Sequence, residues 1–363
     1  MLLVVLFPAV AAAQSQPDKP DSDCGAPAPV CAAMGHVFVI AAFDPIGSAV
    51  ALGEGLFVTN RHVVADHAEV TVYDRAGKEF TGTVIPTGYL GDLILFRLDG
   101  FGPDAGLEMA VAGEETALFG IGADPGRQTI RVYAEGRPIK LPLDEWPLSR
   151  LHHSAQSGPG NSGGALVDDR GRLVGVVTSG GEGRNEAMPA SEIARLITLS
   201  GDRFAEESRT RGLALRQCAE RIDRRFRGSE MPDGDAYERL KAVCLESGNR
   251  QLIDLAGQIM GRAGRNSDAI DLFERSLAQD PYAPNALVSL AISLHMARRY
   301  GDEIPHLKRL LELMPDDPQV LRLALQAGKW GGDLPLAEEA LAGIERYHPR
   351  LAPVARDFLA QEN

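Results

Sequence analysis

The sequence predicts a multidomain protein of the β plus α class, a β-rich half followed by a helical half, and three observations carry that reading. From Gly35 to Leu199, short apolar runs alternate with Gly, Asp and Pro, the pattern of an all-β sandwich or barrel. After Ser200 the turn-rich pattern stops and helical periodicity takes over. The helical half also repeats: Pro281, Pro315 and Pro349 recur every 34 residues, as do Asp268 and Asp302 and the apolar positions Phe273, Leu307 and Leu341.

A chain of 363 residues is long for one hydrophobic core, which agrees with two domains. A hydrophobic content of 44% with 24% charged residues is that of a folded protein. The formal net charge is -13, with the acidic surplus mostly in the first half. Neither half has a basic stripe that would release counterions from phosphate, so nucleic acid is excluded as a partner.

Residues 1–13 form an apolar run ending in small residues, which reads as a signal peptide cleaved after Ala13, although no Lys or Arg precedes it. The run is too short to span a bilayer comfortably, and a membrane is a partner only if the segment is retained. An exported protein, periplasmic or secreted, is expected. Residues 14–34, rich in Pro, Asp, Ser and Ala, read as a disordered mature N-terminus. Four cysteines, Cys24, Cys31, Cys218 and Cys244, suit an exported protein with two disulfides; three pairings are possible, and the spacing favours local partners. No metal site and no cofactor are expected, since nothing has paired Cys-x-x-Cys spacing.

Three stretches of the β half carry chemistry. Residues 158–164, Gly-Pro-Gly-Asn-Ser-Gly-Gly, make a poor helix or strand interior but a good tight turn. Such a turn leaves the Ser162 hydroxyl exposed and backbone N–H groups free to face an anion, as an acyl-transfer nucleophile requires. In residues 59–64 a strand ends and a short helical turn presents His62. In residues 91–96 an acid, Asp92, opens an otherwise apolar strand. A carboxylate is what keeps an imidazole in the tautomer able to take a proton from serine.

These segments, in the order His62, Asp92, Ser162, resemble the trypsin-like (chymotrypsin-fold) serine peptidases, and within them the bacterial envelope proteases of the Do-like, high-temperature-requirement type, which act in protein quality control. The resemblance covers residues 35–199 of an expected protease domain at 35–200, and includes residues 173–178 as the substrate-lining strand and 187–191 leading into a closing helix. It implies two six-stranded β-barrels with the site at their junction, and a serine endopeptidase acting on protein or peptide substrates. Ser162 would attack, His62 would serve as base and then acid, and Asp92 would orient the imidazole, with the N–H groups of Gly160 and Ser162 as the oxyanion hole. Asn161 stands where digestive members have aspartate, so activation by prosegment cleavage is not expected. Gln156 falls at the base of the specificity pocket, with Thr178, Ser179 and Gly180 on its wall. No carboxylate is expected there, which argues against Lys or Arg at the cleavage position. The adjacent His152 and His153 point to opposite faces of a strand and read as structural.

In the helical half, Gly257, Ala269, Phe273 and Pro281 occupy positions that define tetratricopeptide repeats, and the resemblance covers residues 250–351 as three units starting at Arg250, Pro284 and Pro318. The second unit has Glu303 where a small residue is usual. Residues 352–363 would cap the solenoid, and residues 201–249 read as a helical linker containing a degenerate unit. In that unit Cys218 and Cys244 lie at the meeting ends of a helical hairpin, which pairs them and leaves Cys24 for Cys31. Such arrays present a concave surface for a protein partner or substrate. Removal of residues 250–363 is then expected to spare hydrolysis of a small ester. The alternative function is a catalytically silent trypsin-fold protein that binds partners through its repeats.

Overall fold

The computed structural model describes residues 24–126, 129–181, 184–227 and 234–361. The signal segment expected at residues 1–13 lies outside them. Six strands, β1 (Val37–Ala41), β2 (Gly47–Gly53), β3 (Leu56–Thr59), β4 (Glu69–Tyr73), β5 (Glu79–Ile85) and β6 (Ile94–Arg97), close into an antiparallel barrel of order β1-β2-β3-β6-β5-β4. Inward residues of alternating period fill it, among them Ile40, Val70, Val72 and the stacked rings of Phe57 and Phe96, 5.0 Å apart.

A second sheet follows: β7 (Leu118–Asp124), β8 (Thr129–Val132), β9 (Pro138–Lys140), β10 (Leu151–His153), β11 (Ala165–Asp168), β12 (Leu173–Gly181) and β13 (Arg184–Pro189). Among the described residues it has seven strands in the order β8-β7-β11-β12-β13-β10-β9 rather than the expected closed set of six. Among the described residues β8 and β9 remain its edges, because the chain between them turns back at Gly136 to bond Leu118 instead of extending a ladder across the gap.

The expectation of disorder through residue 34 does not hold from Cys24 onward. A Cys24–Cys31 disulfide closes a loop, and α1 (Ala28–Ala33) inserts Val30 and Ala33 among Phe119, Val167 and Leu173. The Asp, Ser and Gln that suggest disorder are confined to residues 14–23, whereas residues 24–34 carry no charged side chain and place Val30 and Ala33 on one helical face.

In the β half, α2 (Arg61–Val64) follows β3 and α3 (Glu192–Thr198) follows β13. Then come, among the described residues, nine helices: α4 (Ala205–Arg227), α5 (Gly234–Ser247), α6 (Arg250–Arg262), α7 (Asn266–Leu277), α8 (Pro284–Met296), α9 (Tyr300–Leu313), α10 (Pro318–Gly331), α11 (Leu334–Tyr347) and α12 (Ala352–Ala360). Consecutive helices pack as hairpins, and each hairpin packs on the next. Cys218 of α4 and Cys244 of α5 are joined by a disulfide across Cα atoms 4.9 Å apart. At Gly257 a Cβ would stand 2.7 Å from the Phe273 ring, so the close α6–α7 crossing needs glycine there. One apolar core runs through all these helices and reaches Ala65, just after α2. The α4 backbone at Gly212 lies against that same turn, where a Cβ would come within 2.4 Å of the Ala65 carbonyl oxygen.

Candidate active site

The pair of His62 and Asp92 is assembled by local backbone geometry. His62 sits in the single turn of α2, directly after β3, while Asp92 precedes β6, the strand paired with β3. The Asn60 side chain donates to the Asp92 carbonyl oxygen at 2.9 Å, holding the two segments in register. The His62 ring Nδ1 lies 2.7 Å from Asp92 Oδ2, and the His62 backbone N–H donates to Asp92 Oδ1 at 3.1 Å. One carboxylate thus grips both the ring and the backbone of the histidine.

Burial works against a charged His62, but the charge and hydrogen bond of Asp92, with Asp44 beyond, more than offset it and hold the imidazole pKa above its ordinary value. Burial likewise opposes ionisation of Asp92; the His62 charge and hydrogen bonds, aided by Arg150, hold its carboxyl below the usual range.

Ser162 reaches the same seam on the turn between β10 and β11. Ser48 of β2 stitches it across: its N–H donates to the Ser162 carbonyl oxygen at 2.8 Å, and its hydroxyl donates to the Gly160 carbonyl oxygen at 2.7 Å. Gly47, beside it, touches both sides of the site, since a Cβ there would lie 2.7 Å from Val63 and 3.5 Å from the Ser162 carbonyl oxygen. Gly160 and Gly163 have φ of 83° and 84°, which only glycine adopts without strain, and a Cβ on Gly163 would fall 2.0 Å from the Ser48 carbonyl oxygen. The N–H groups of Gly160 and Ser162 donate to no group among the described residues. The Ser162 hydroxyl donates to the Thr178 carbonyl oxygen at 3.2 Å rather than to His62. A hydroxyl is a free rotor, and nucleophile–base bonds commonly tighten only with substrate bound.

The pocket residues are less uniform. Gln156 is exposed, and Ser179 and Gly180 lie at the surface of β12, but Thr178 is buried with its hydroxyl donating to the Glu186 carbonyl oxygen. Between them stands Asn185 of β13, which donates to the Ala155 carbonyl oxygen at 2.8 Å and accepts from the Ser157 hydroxyl at 2.8 Å. The expected lack of a carboxylate needs correction: Glu186 accepts from the Ser179 hydroxyl at 3.1 Å. Its charge is matched by Arg150, 2.8 Å away, and by Arg250, so it is no free anion for a basic substrate side chain. Burial opposes the Glu186 charge, but Arg250 and Arg150 hold its pKa far below normal.

Sequence reasoning missed the helical residues that border this site. Asn249, immediately before α6, donates from Nδ2 to Asp92 Oδ1 at 3.0 Å. Arg250 pairs with Glu186, and Asp280, after α7, accepts from the Arg150 backbone N–H and lies 2.8 Å from His152 Nε2. Arg61, beside His62, donates to the Ser208 carbonyl oxygen of α4 at 3.5 Å. His152 is therefore an interdomain residue, while His153 is buried and pushed down to about 4, first by burial and then by His152. Partners 64 to 157 positions apart leave no local pattern that could have flagged them. Among the described residues no cluster of His, Cys, Asp or Glu could hold a metal ion.

Part of the chain is similar to known proteins. Residues 47–176 match the family model of the trypsin-like peptidase domain. The serine protease Do-like HtrA of Lactococcus lactis subsp. cremoris is 24% identical over 170 residues, covering 40% of this chain and 41% of that protein. The protein of the same name from Lactobacillus helveticus is 27% identical over 168 residues, covering 40% and 39%. The match thus spans about two fifths of the length of these relatives. Among solved structures, the inactive form of the Rv3671c protease of M. tuberculosis H37Rv is similar at 24% identity and a TM-score of 0.42, over 48% of this chain and 93% of that one. The chain carries a chymotrypsin-like peptidase domain followed by a C-terminal helical region.

Proposed function

We propose that this protein is an exported serine endopeptidase of the Do-like type, in which Ser162, His62 and Asp92 hydrolyse peptide bonds of protein substrates. The observation that carries the reading is the Asp92 carboxylate holding the His62 ring at 2.7 Å beside a glycine-rich serine turn. In the reaction the Ser162 oxygen attacks the scissile carbonyl carbon as His62 takes its proton, and the oxyanion settles against the Gly160 and Ser162 N–H groups. His62 then returns the proton to the leaving amine, and water, deprotonated by the same histidine, releases the acid and restores the serine. With Glu186 neutralised by two arginines, a neutral side chain suits the pocket formed by Gln156, Thr178, Ser179 and Gly180.

The helical region is read here as three tetratricopeptide units at residues 250–351, followed by a capping helix, after the linker at 201–249. Its helices α6, α8 and α10 begin at Arg250, Pro284 and Pro318. A groove of about 790 Å³ lies along its face, lined by Gln258, Asn285, Ser289, Ile292 and Gln319, and opens on Ser179 and Gly180. Amide and hydroxyl groups interspersed with aliphatic ones suit a peptide backbone, so the groove would carry the substrate segment next to the cleaved bond.

A second reading, a catalytically silent binding protein, would keep the Ser162 hydroxyl on the Thr178 carbonyl oxygen, where it lies without substrate, and never bring it to His62. A fluorophosphonate probe separates the two. Labelling of the folded protein is expected, with loss in Ser162→Ala and strong reduction in His62→Ala; a wild-type protein that stays unlabelled with denatured casein present sinks the enzyme reading.

A further inference from the structure

Asn249 has two jobs that its side-chain amide performs at once. It is the N-cap of α6, with Oδ1 accepting the Leu252 backbone N–H at 3.1 Å. Only an acceptor serves there, so the amide orientation is settled and the NH₂ end must face the other way. It faces Asp92 Oδ1, 3.0 Å distant, and the whole contact is buried. The same carboxylate oxygen accepts the His62 N–H, and its twin holds the imidazole. The helix thus clamps the amide and the amide clamps the carboxylate. The next residue is fastened to the peptidase domain as well, Arg250 by Glu186, while the preceding Gly248 is held within the helical region by Gln279 Nε2, which donates to its carbonyl oxygen.

We propose that Asn249 is a positioning residue of the peptidase reaction, contributed by the helical region, and that docking of that region completes the catalytic centre. This rests on the serine-endopeptidase reading. A buried carboxylate is kept ionised and oriented by the donors it accepts; His62 alone supplies one to each Asp92 oxygen, and Asn249, 157 residues away, adds a second to Oδ1 and is the donor that does not move with the histidine. The consequence reverses the expectation that residues 250–363 are dispensable for small esters: without α6 nothing orients the Asn249 amide.

The test uses the full-length protein and two substitutions that keep the cap. In Asn249→Asp a carboxylate still accepts the Leu252 N–H but meets Asp92 with a like charge. In Asn249→Ser the cap remains and the reach to Asp92 is lost. Probe labelling of Ser162 and kcat and KM for a small ester are followed against pH, with thermal melts to confirm folding. Asn249→Ser is expected to lower kcat ~10-fold with KM unchanged, and Asn249→Asp ~100-fold. Two adjacent carboxylates cannot both ionise freely, so Asn249→Asp also gains an ionisation in its kcat profile, set against the surrounding His62, Asp44, Arg61, Arg150 and Arg250. As a control, Asp333→Ala removes the N-cap of α11, far from the site, and is expected to lower the melting temperature without altering either profile. Wild-type kcat and pH profile in both Asn249 variants would reduce Asn249 to a helix cap and overturn the proposal while leaving the peptidase intact. An unlabelled, folded wild type would overturn both.

Discussion

The two sides of the candidate site are held by different means. The serine turn is fastened inside the β half by neutral groups: Ser48 and the backbone of Val177 bind it, Thr59 holds Ser48 in turn, and Gly163 and Gly164 admit no side chain. The acid–base side is backed by helices, through Asn249 on Asp92, α4 on the turn after α2, and the buried group of Arg150, Glu186, Arg250, Asp254 and Asp280. These neutral hydrogen bonds to β2 and β12 set the turn once the two sheets of the β half are packed together. Buried ion pairs add little net stability but penalise any other seating, which makes them devices of registry. One side of the site is therefore set by the peptidase domain itself, and the other depends on how the helical region sits.

Three substitutions sharpen that contrast. The largest effect is expected for Gly163→Ala, which puts a methyl against the Ser48 carbonyl oxygen at a φ of 84°; probe labelling should fall at least ~100-fold, as when an oxyanion donor is lost, while the helical region stays seated. Labelling at the wild-type rate would show that the turn is not what the glycine protects. Arg250→Ala breaks the interdomain pair and leaves Glu186 and Asp254 short of a cation, at an expected cost of about 3 kcal/mol in denaturant unfolding. If the chain unfolds at an unchanged midpoint, the seam is not held by charge.

The smallest effect concerns Asp44, whose negative charge helps keep the His62 pKa raised. Because the neutral imidazole is the working base, a raised pKa pushes the acidic limb of kcat/KM to higher pH. Asp44→Asn removes that charge, lowers the His62 pKa and should move the limb to lower pH by a fraction of a unit; a move upward would contradict the assigned field. Asp44 itself is pushed upward by burial, so at neutral pH its influence is greater than in acid.

Much of the architecture was legible because it is written in local terms. Turn residues between short apolar runs announced the β half, the interval of 34 residues marked the helical pairs, and Cys218 and Cys244 fell at adjoining ends of one hairpin. The segments around His62, Asp92 and Ser162 could be picked out because each chemistry needs a particular residue beside a particular turn. Misreadings came where composition stood in for packing. The polar character of residues 14–23 does not extend over residues 24–34, which carry no charged side chain and bury Val30 completely, and among the described residues the second sheet keeps open edges that strand counting cannot foresee. At position 303 the departure from a small residue is accommodated by burying Glu303 against His295, with burial pushing its carboxyl up to about 8.

By itself, the sequence determined the two structural classes, the order of the three reactive segments and the helical period, since each depends on residues within a few turns of one another. Only the tertiary structure decided what stands behind Asp92, what neutralises Glu186 and why His152 is buried. Those answers depend on Asn249, Arg250 and Asp280, whose partners are distant in the chain. Hydrogen bonds and ion pairs act over about 3 Å, and no pattern along a sequence records which remote groups folding will bring within that reach.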